Sequence, residues 1–267
     1  MTISKSKFFK PGMISALVLA AALGNVAGMA SAATVTVLPG DPNWSTLDEN
    51  RGGGSSTITS TMPYMGNGSL EMTGDRTRFV GLGNFYSPAS NLGLLDTVTA
   101  LTYSWAIAVG SVATLNPDYT PALRLHIFDN GQRSELIWEG VYNGTYGNTQ
   151  KGTFYESGIN DNFYQFVNGF GVTLNNGSQV NQSITSWAAS NYYSNNAYVS
   201  AISIGVGSSA GAGYRAFADN VTFGINGGLT TYNFETADAV AVPEPGMLAL
   251  LGLGALGLGL ARRKSAK

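Results

Sequence analysis

The sequence predicts an all-β fold, a single antiparallel β-sandwich or jelly roll, on three observations. Asn-Gly pairs recur at Asn67-Gly68, Asn130-Gly131, Asn143-Gly144, Asn168-Gly169, Asn176-Gly177 and Asn226-Gly227, and each tolerates the positive φ of a tight hairpin. The segments between them alternate apolar and polar residues with the period of a strand. Helical spacing occurs once, over residues 183–189 with Ile184, Trp187 and Ala188, so strands do not alternate with helices as a parallel sheet would require.

In chain order, residues 34–38 and 69–73 read as the first strands. Leu101, Tyr103, Trp105, Ile107 and Val109 then alternate with Thr102, Ser104, Ala106 and Ala108, which gives Trp105 core parity. Leu123, Leu125 and Ile127 alternate with Arg124, His126 and Phe128, placing the sole histidine on the exposed side of its strand. Strands at 135–142 and 163–167 follow, with Trp138 turned to the core. Ile202, Ile204 and Val206 alternate with Ser203 and Gly205, and 217–225 and 229–234 close the series. No repeat or Pro-rich linker divides residues 33–241, so they form one domain.

Composition narrows the function classes. The 267 residues contain no cysteine and one histidine, with 11% charged and 44% hydrophobic positions. A disulfide scaffold and a thiolate zinc site are excluded, and the chain is too apolar for a disordered protein. The formal charge of −2 averages unlike parts. Residues 33–241 hold seven basic and fifteen acidic residues, a formal −8, which argues against binding to nucleic acid or anionic lipid.

Both ends carry transport signals. Residues 1–32 read as a signal peptide: Lys5, Lys7 and Lys10, an apolar stretch over 13–23, and Ala30-Ser31-Ala32 before a signal peptidase cut between Ala32 and Ala33. That apolar stretch is shorter than the roughly 20 residues of a membrane span. Residues 242–267 begin with Val242-Pro243-Glu244-Pro245, continue through an uncharged run over 247–261 and end in a basic stop at Arg262, Arg263 and Lys264. The two prolines enforce an extended, exposed segment that a protease can grip. As a helix the following run spans only about 22 Å, and Gly252, Gly254, Gly257 and Gly259 weaken it, so the expectation is a transient inner-membrane anchor. This order of motif, transmembrane helix and basic end resembles the PEP-CTERM sorting signal. The resemblance implies recognition of Pro243, Glu244 and Pro245 by an exosortase-type transpeptidase and delivery to the surface or matrix of an exopolysaccharide-producing bacterium.

The middle resembles secreted bacterial jelly-roll domains in the order of Trp44, Gly52-Gly53-Gly54, Gly68-Ser69-Leu70, the stretch from Pro121 to Asp129, Ile137-Trp138-Glu139, the stretch from Ser203 to Gly207, the stretch from Asp219 to Gly224 and Thr231-Tyr232-Asn233-Phe234-Glu235. That likeness brings no activity with it.

Catalytic patterns are sparse. Gly207-Ser208-Ser209-Ala210-Gly211 matches a nucleophile elbow, but a strand follows it instead of a helix, and His126 precedes the serine in the chain, the reverse of that fold's order. Gly252-Leu253-Gly254-Ala255-Leu256-Gly257 matches a dinucleotide fingerprint without its βαβ context. Glu135 and Glu139 share a strand face about 13 Å apart, too far for paired glycosidase carboxylates. Asp219 shares parity with Phe217, Val221 and Phe223, so it points into the core, where a bulge, Arg215 or a structural Ca²⁺ would relieve its cost. Jelly-roll carbohydrate binders with calcium near a last-strand aspartate are the source of that last option. Tyr192 and Tyr193, beside Asn191, Asn195 and Asn196, and Tyr142 and Tyr146, around Asn143-Gly144, are the expected glycan contacts. The expected role is a noncatalytic surface or matrix protein. A glycan-binding module of the exopolysaccharide and a polysaccharide-active enzyme are the alternatives.

Overall fold

The computed structural model describes residues 32–236 apart from 115, 117 and 146. The signal sequence before Ala32, the sorting motif Pro243-Glu244-Pro245, the apolar run 247–261, the basic stop Arg262-Arg263-Lys264 and Tyr146 lie outside the described residues. Among the described residues no helix is long and apolar enough to cross a membrane.

Within them the strands are β1 (Ala33–Val37), β2 (Trp44–Ser45), β3 (Ser55–Thr59), β4 (Ser69–Thr73), β5 (Phe79–Gly81), β6 (Gly93–Leu94), β7 (Val98–Ile107), β8 (Ala122–Asp129) and β9 (Gln132–Trp138). There follow β10 (Tyr155–Glu156), β11 (Phe163–Val167), β12 (Gly171–Val172), β13 (Leu174–Asn175), β14 (Ser178–Gln179), β15 (Asn181–Gln182), β16 (Tyr198–Gly205), β17 (Arg215–Ile225) and β18 (Gly228–Phe234). The helix α1 (Ile184–Ala188) sits between β15 and β16, and Ser183 caps it by accepting the Ser186 N–H at 3.3 Å.

Two sheets form the sandwich. In the smaller, β17 pairs with β7 along one edge and with β4 and then β18 along the other, while β3, β1 and β10 extend the sheet. In the larger, β11, β9, β8, β16 and β5 run side by side as antiparallel neighbours. The pairing departs from the antiparallel expectation at β1, which lies parallel to β18. Ala33 is the exposed first residue of β1, so the cut expected before it would leave that strand whole.

Aromatic rings from both sheets meet in the core. Trp105 of β7 and Trp138 of β9 lie 5.9 Å apart, Tyr103 meets Trp138 edge-on at 5.3 Å, and Trp44 of β2 meets Phe234 of β18 at 5.0 Å. Such pairs add to the burial of their large apolar area. Trp105 and Trp138 are each 1% exposed, in agreement with their predicted parity.

Three of the six Asn-Gly pairs close two-residue hairpins. Asn130, Asn176 and Asn226 have φ of 51°, 51° and 52°, and the glycines after them 81°, 80° and 78°, the backbone of a type I′ turn. Asn168-Gly169 belongs to a three-residue loop between β11 and β12. Asn143-Gly144 ends a 3₁₀ turn at Gly140–Asn143, so the strand expected over 135–142 stops at Trp138. There Gly140 leaves the ladder and donates its N–H to Thr120 Oγ1 at 2.9 Å. Asn67-Gly68 lies in the longer β3–β4 connection and is held by Glu235, whose Oε2 accepts the Asn67 N–H at 2.6 Å.

The parity expected for β17 needs a correction. Ala216 and Ala218 face the main core, whereas Phe217 packs on the other face with Ala106 and Ala108. The register against β7 then shifts between Asp219 and Thr222, Asn220 takes φ 47°, and Val221 and Phe223 return to the main core. An extra residue therefore lets both halves of an eleven-residue strand bury their apolar side chains on one side. We expect Asn220→Gly to change stability by less than about 1 kcal/mol and Asn220→Val to cost about 1–3 kcal/mol, because a β-branched residue resists positive φ. Urea unfolding of both variants measures the difference.

Candidate functional site

The outer face of the larger sheet is built by strand parity. Because Leu123, Leu125 and Ile127 give β8 its core side, Arg124 and His126 emerge opposite, and the Asn130-Gly131 turn sets His126 across from Glu135 of β9. Segment 76–78 then brings Arg76 and Arg78 alongside. It crosses the end of β16 so closely that a Cβ on Gly205 would lie 2.1 Å from the Thr77 carbonyl oxygen. Reciprocal bonds fix the approach: Thr77 N–H donates to the Val206 carbonyl at 3.1 Å, and Val206 N–H to Thr77 Oγ1 at 3.0 Å.

Arg76, Arg78, Arg124 and Glu135 line a cavity of about 430 Å³ together with Glu49, Phe85, Tyr86, Arg133, Phe166 and Asn168. Glu135 is its central anion. Its Oε2 lies 3.5 Å from Arg78 Nη2 and 3.6 Å from Arg124 Nε, and its Oε1 lies 3.7 Å from His126 Nδ1. Arg124 is 3% exposed, yet its Nε has no hydrogen-bond partner, and neither does His126 Nδ1. The other face of the imidazole is settled: Nε2 sits 2.7 Å from Ser203 Oγ, and the ring stacks on Phe85 at 4.4 Å. His126 is thus fully buried, correcting its expected exposure, because Phe85 closes over the sheet's outer face. Arg133 lies over the rings of Phe85 and Tyr86 at 5.3 and 4.7 Å and bonds Asn168 Oδ1 at 3.1 Å.

Burial pulls the His126 pKa down to about 3, with Arg78 and Arg124 adding to the effect against the pull of Glu135, so the ring is neutral at physiological pH. Burial, then repulsion from Arg124, lowers Arg78 to about 10, which leaves it cationic. For Glu135, burial works against ionisation, but the guanidiniums of Arg78, Arg124 and Arg133 outweigh it and hold the carboxyl below its ordinary value. The pocket consequently carries four guanidinium charges against Glu49 and Glu135, inside a domain of formal charge −8.

The expected sugar contacts lie elsewhere. Tyr192 is partly exposed and meets Trp187 edge-on, and Tyr142 is partly exposed against Tyr164. Tyr193 belongs to the core, with its hydroxyl 2.9 Å from Ser134 Oγ, so its ring has no free face. Beside Tyr142, Glu139 and Asp118 line a second cavity of only about 130 Å³, where burial raises the Glu139 pKa and the Tyr164 hydroxyl donates to it at 2.9 Å. Ser208 and Ser209 lie in a loop that leads into β17, as expected, so no helix supports a nucleophile elbow there.

Asp219 is fully buried at the bulge, which does not turn it outward. Its Oδ1 accepts the N–H groups of Asn220 and Phe234, each at 2.8 Å, while Oδ2 has no donor. Arg215 serves Glu71 instead, at 2.6 and 2.7 Å. A calcium cage takes six to eight oxygens, and among the described residues no group of three His, Cys, Asp or Glu side chains gathers to hold a metal. Protonation relieves the cost without an ion. Burial lifts the carboxyl to about 7, against the two backbone N–H groups and with help from Glu235.

With the comparisons to known proteins the sorting signal gains a match of its own. Residues 241–264 match the family model described as the PEP-CTERM protein-sorting motif. The motif marks an exported protein that is anchored at the membrane before processing by exosortase-type machinery. No curated protein matches the chain.

The folded Asp219 pKa lies above its ordinary value of 3.8, so the folded state binds the extra proton and stability falls as pH rises from about 4 to about 7. We expect Asp219→Asn, which keeps the Oδ1 acceptor and removes the charge, to match the parent at pH 4 and exceed it by roughly 1–3 kcal/mol at pH 8. Urea unfolding across that range checks this. A rise in the parent's Tm with millimolar calcium, reversed by EGTA and missing in the variant, would instead put an ion at Asp219.

Proposed function

We propose that the sandwich is a noncatalytic glycan-binding module of the cell surface or extracellular matrix, exported through its signal peptide and released from its membrane anchor by an exosortase-type transpeptidase. One observation carries the binding reading: the 430 Å³ cavity combines hydrogen-bonding groups with the partly exposed rings of Tyr86 and Phe166, 51% and 38% exposed. Sugars need both, a polar rim for hydroxyls and an aromatic face for the ring. The volume lies within the range of small-ligand sites, whereas the Glu139 cavity falls below it.

A second reading rests on that smaller cavity. A carboxyl of raised pKa is what a glycosidase acid needs, and Glu139, which lines this cavity with Asp118, is the candidate acid of a polysaccharide-active enzyme.

A glycan array with the mature domain tests both. Tyr86→Ala is expected to lower affinity about tenfold, a change of about 1.4 kcal/mol, while Tyr192→Ala stays within twofold of the parent. Loss on Tyr192→Ala alone would move the site to the edge first expected from sequence. Release of reducing ends, abolished by Glu139→Gln, would replace the noncatalytic reading.

A further inference from the structure

Resting on the glycan-binding reading, we infer that the arginine-lined cavity selects an acidic sugar, one whose carboxylate or sulfate enters among Arg76, Arg124 and Arg133. Charge distribution is the first support. Residues 33–241 contain seven basic side chains, and four of them converge on this one cavity although the domain is strongly acidic. A solvating surface would scatter them.

Incomplete neutralisation is the second. Among the described residues, neither Arg76 nor Arg133 has a carboxylate within 4.0 Å, and Glu135 alone is shared by Arg78, Arg124 and His126. All three of those contacts are 3.5 Å or longer, at or beyond the limit of a hydrogen bond. Arg124 is the clearest case, because its buried Nε finds no acceptor and its Nη1 reaches only the carbonyls of Ala122 and Gly205, at 3.3 and 3.5 Å. A buried donor without a partner costs free energy that an incoming anion would recover. Guanidinium forks match carboxylate and sulfate oxygens in two-point contact, and partial burial strengthens the attraction beyond its value in water.

The size of the cavity says which anion fits. A net positive cavity of a few hundred cubic ångströms accepts one charged sugar and its neighbours. Tyr86, held beneath Arg133 and bonded through its hydroxyl to Glu49, gives a fixed ring for that sugar's apolar face.

Titration calorimetry at low and moderate salt tests the inference with three probes: oligogalacturonate, the same oligosaccharide with its carboxyls reduced, and a sulfated dextran oligosaccharide. Oligogalacturonate or the sulfated probe should bind at least tenfold more tightly than the reduced one, and whichever binds identifies carboxylate or sulfate as the group. Arg76→Gln and Arg133→Gln, at solvent-accessible positions, should each weaken that binding about tenfold and leave the Tm within 2 °C of the parent. Equal affinity for charged and reduced probes would overturn the acidic-sugar inference while leaving glycan binding intact. No binding to these probes or on the array would overturn both.

Discussion

A strand sends alternate side chains to opposite faces, and this constraint shapes both the core and the pocket. Once Leu123, Leu125 and Ile127 of β8 are committed to the space between the sheets, Arg124 and His126 have only the outer face left. The same rule sends Leu136 and Trp138 of β9 inward and Glu135 outward, and the tight Asn130-Gly131 turn makes Glu135 the cross-strand neighbour of His126. Three ionisable groups are thereby gathered by the needs of apolar packing. Phe85 then covers His126, so a face that would otherwise be wet becomes a place where charges are felt strongly.

Where parity would have cost the core, the fold breaks it once. A regular β17 would split Ala216 and Ala218 from Val221 and Phe223, placing two pairs of small or large apolar side chains on opposite faces. The bulge at Asp219 and Asn220 reunites them, and the consequence is a carboxylate sealed at the irregularity with one oxygen satisfied and the other bare. Stability at neutral pH is spent on keeping the long strand in one core.

Much of the architecture was legible in local pattern. β4 and β11 have the expected bounds, α1 falls inside the one segment with helical spacing, and Trp105 and Trp138 are buried where alternation placed them. Short strands such as β2, β5 and β10 were not legible, because two or three residues carry no period. The pocket was half legible. Counting back from Asn130-Gly131 pairs His126 with Glu135, but nothing near Arg76 and Arg78 in sequence tells that Gly205 admits their segment against β16. Tyrosine pairs beside asparagines gave a false lead at Tyr193, since an aromatic next to a turn serves the core as readily as a ligand.

Sequence by itself determined the fold class and the C-terminal sorting motif. Period-two alternation and Asn-Gly turns act over a few residues, and the 241–264 sorting motif is read as a linear string, so neither needs a folded context. Tertiary structure alone decided which charges meet. Arg76 and Arg78, Arg124, and Arg133 come from three separate segments, and only the pairing of β8 with β9 and β16, with the close crossing at Gly205, brings them around one cavity. The physical reason is that strand patterning is a local property of the chain, whereas a binding site in a sandwich is made of long-range contacts whose register the core selects.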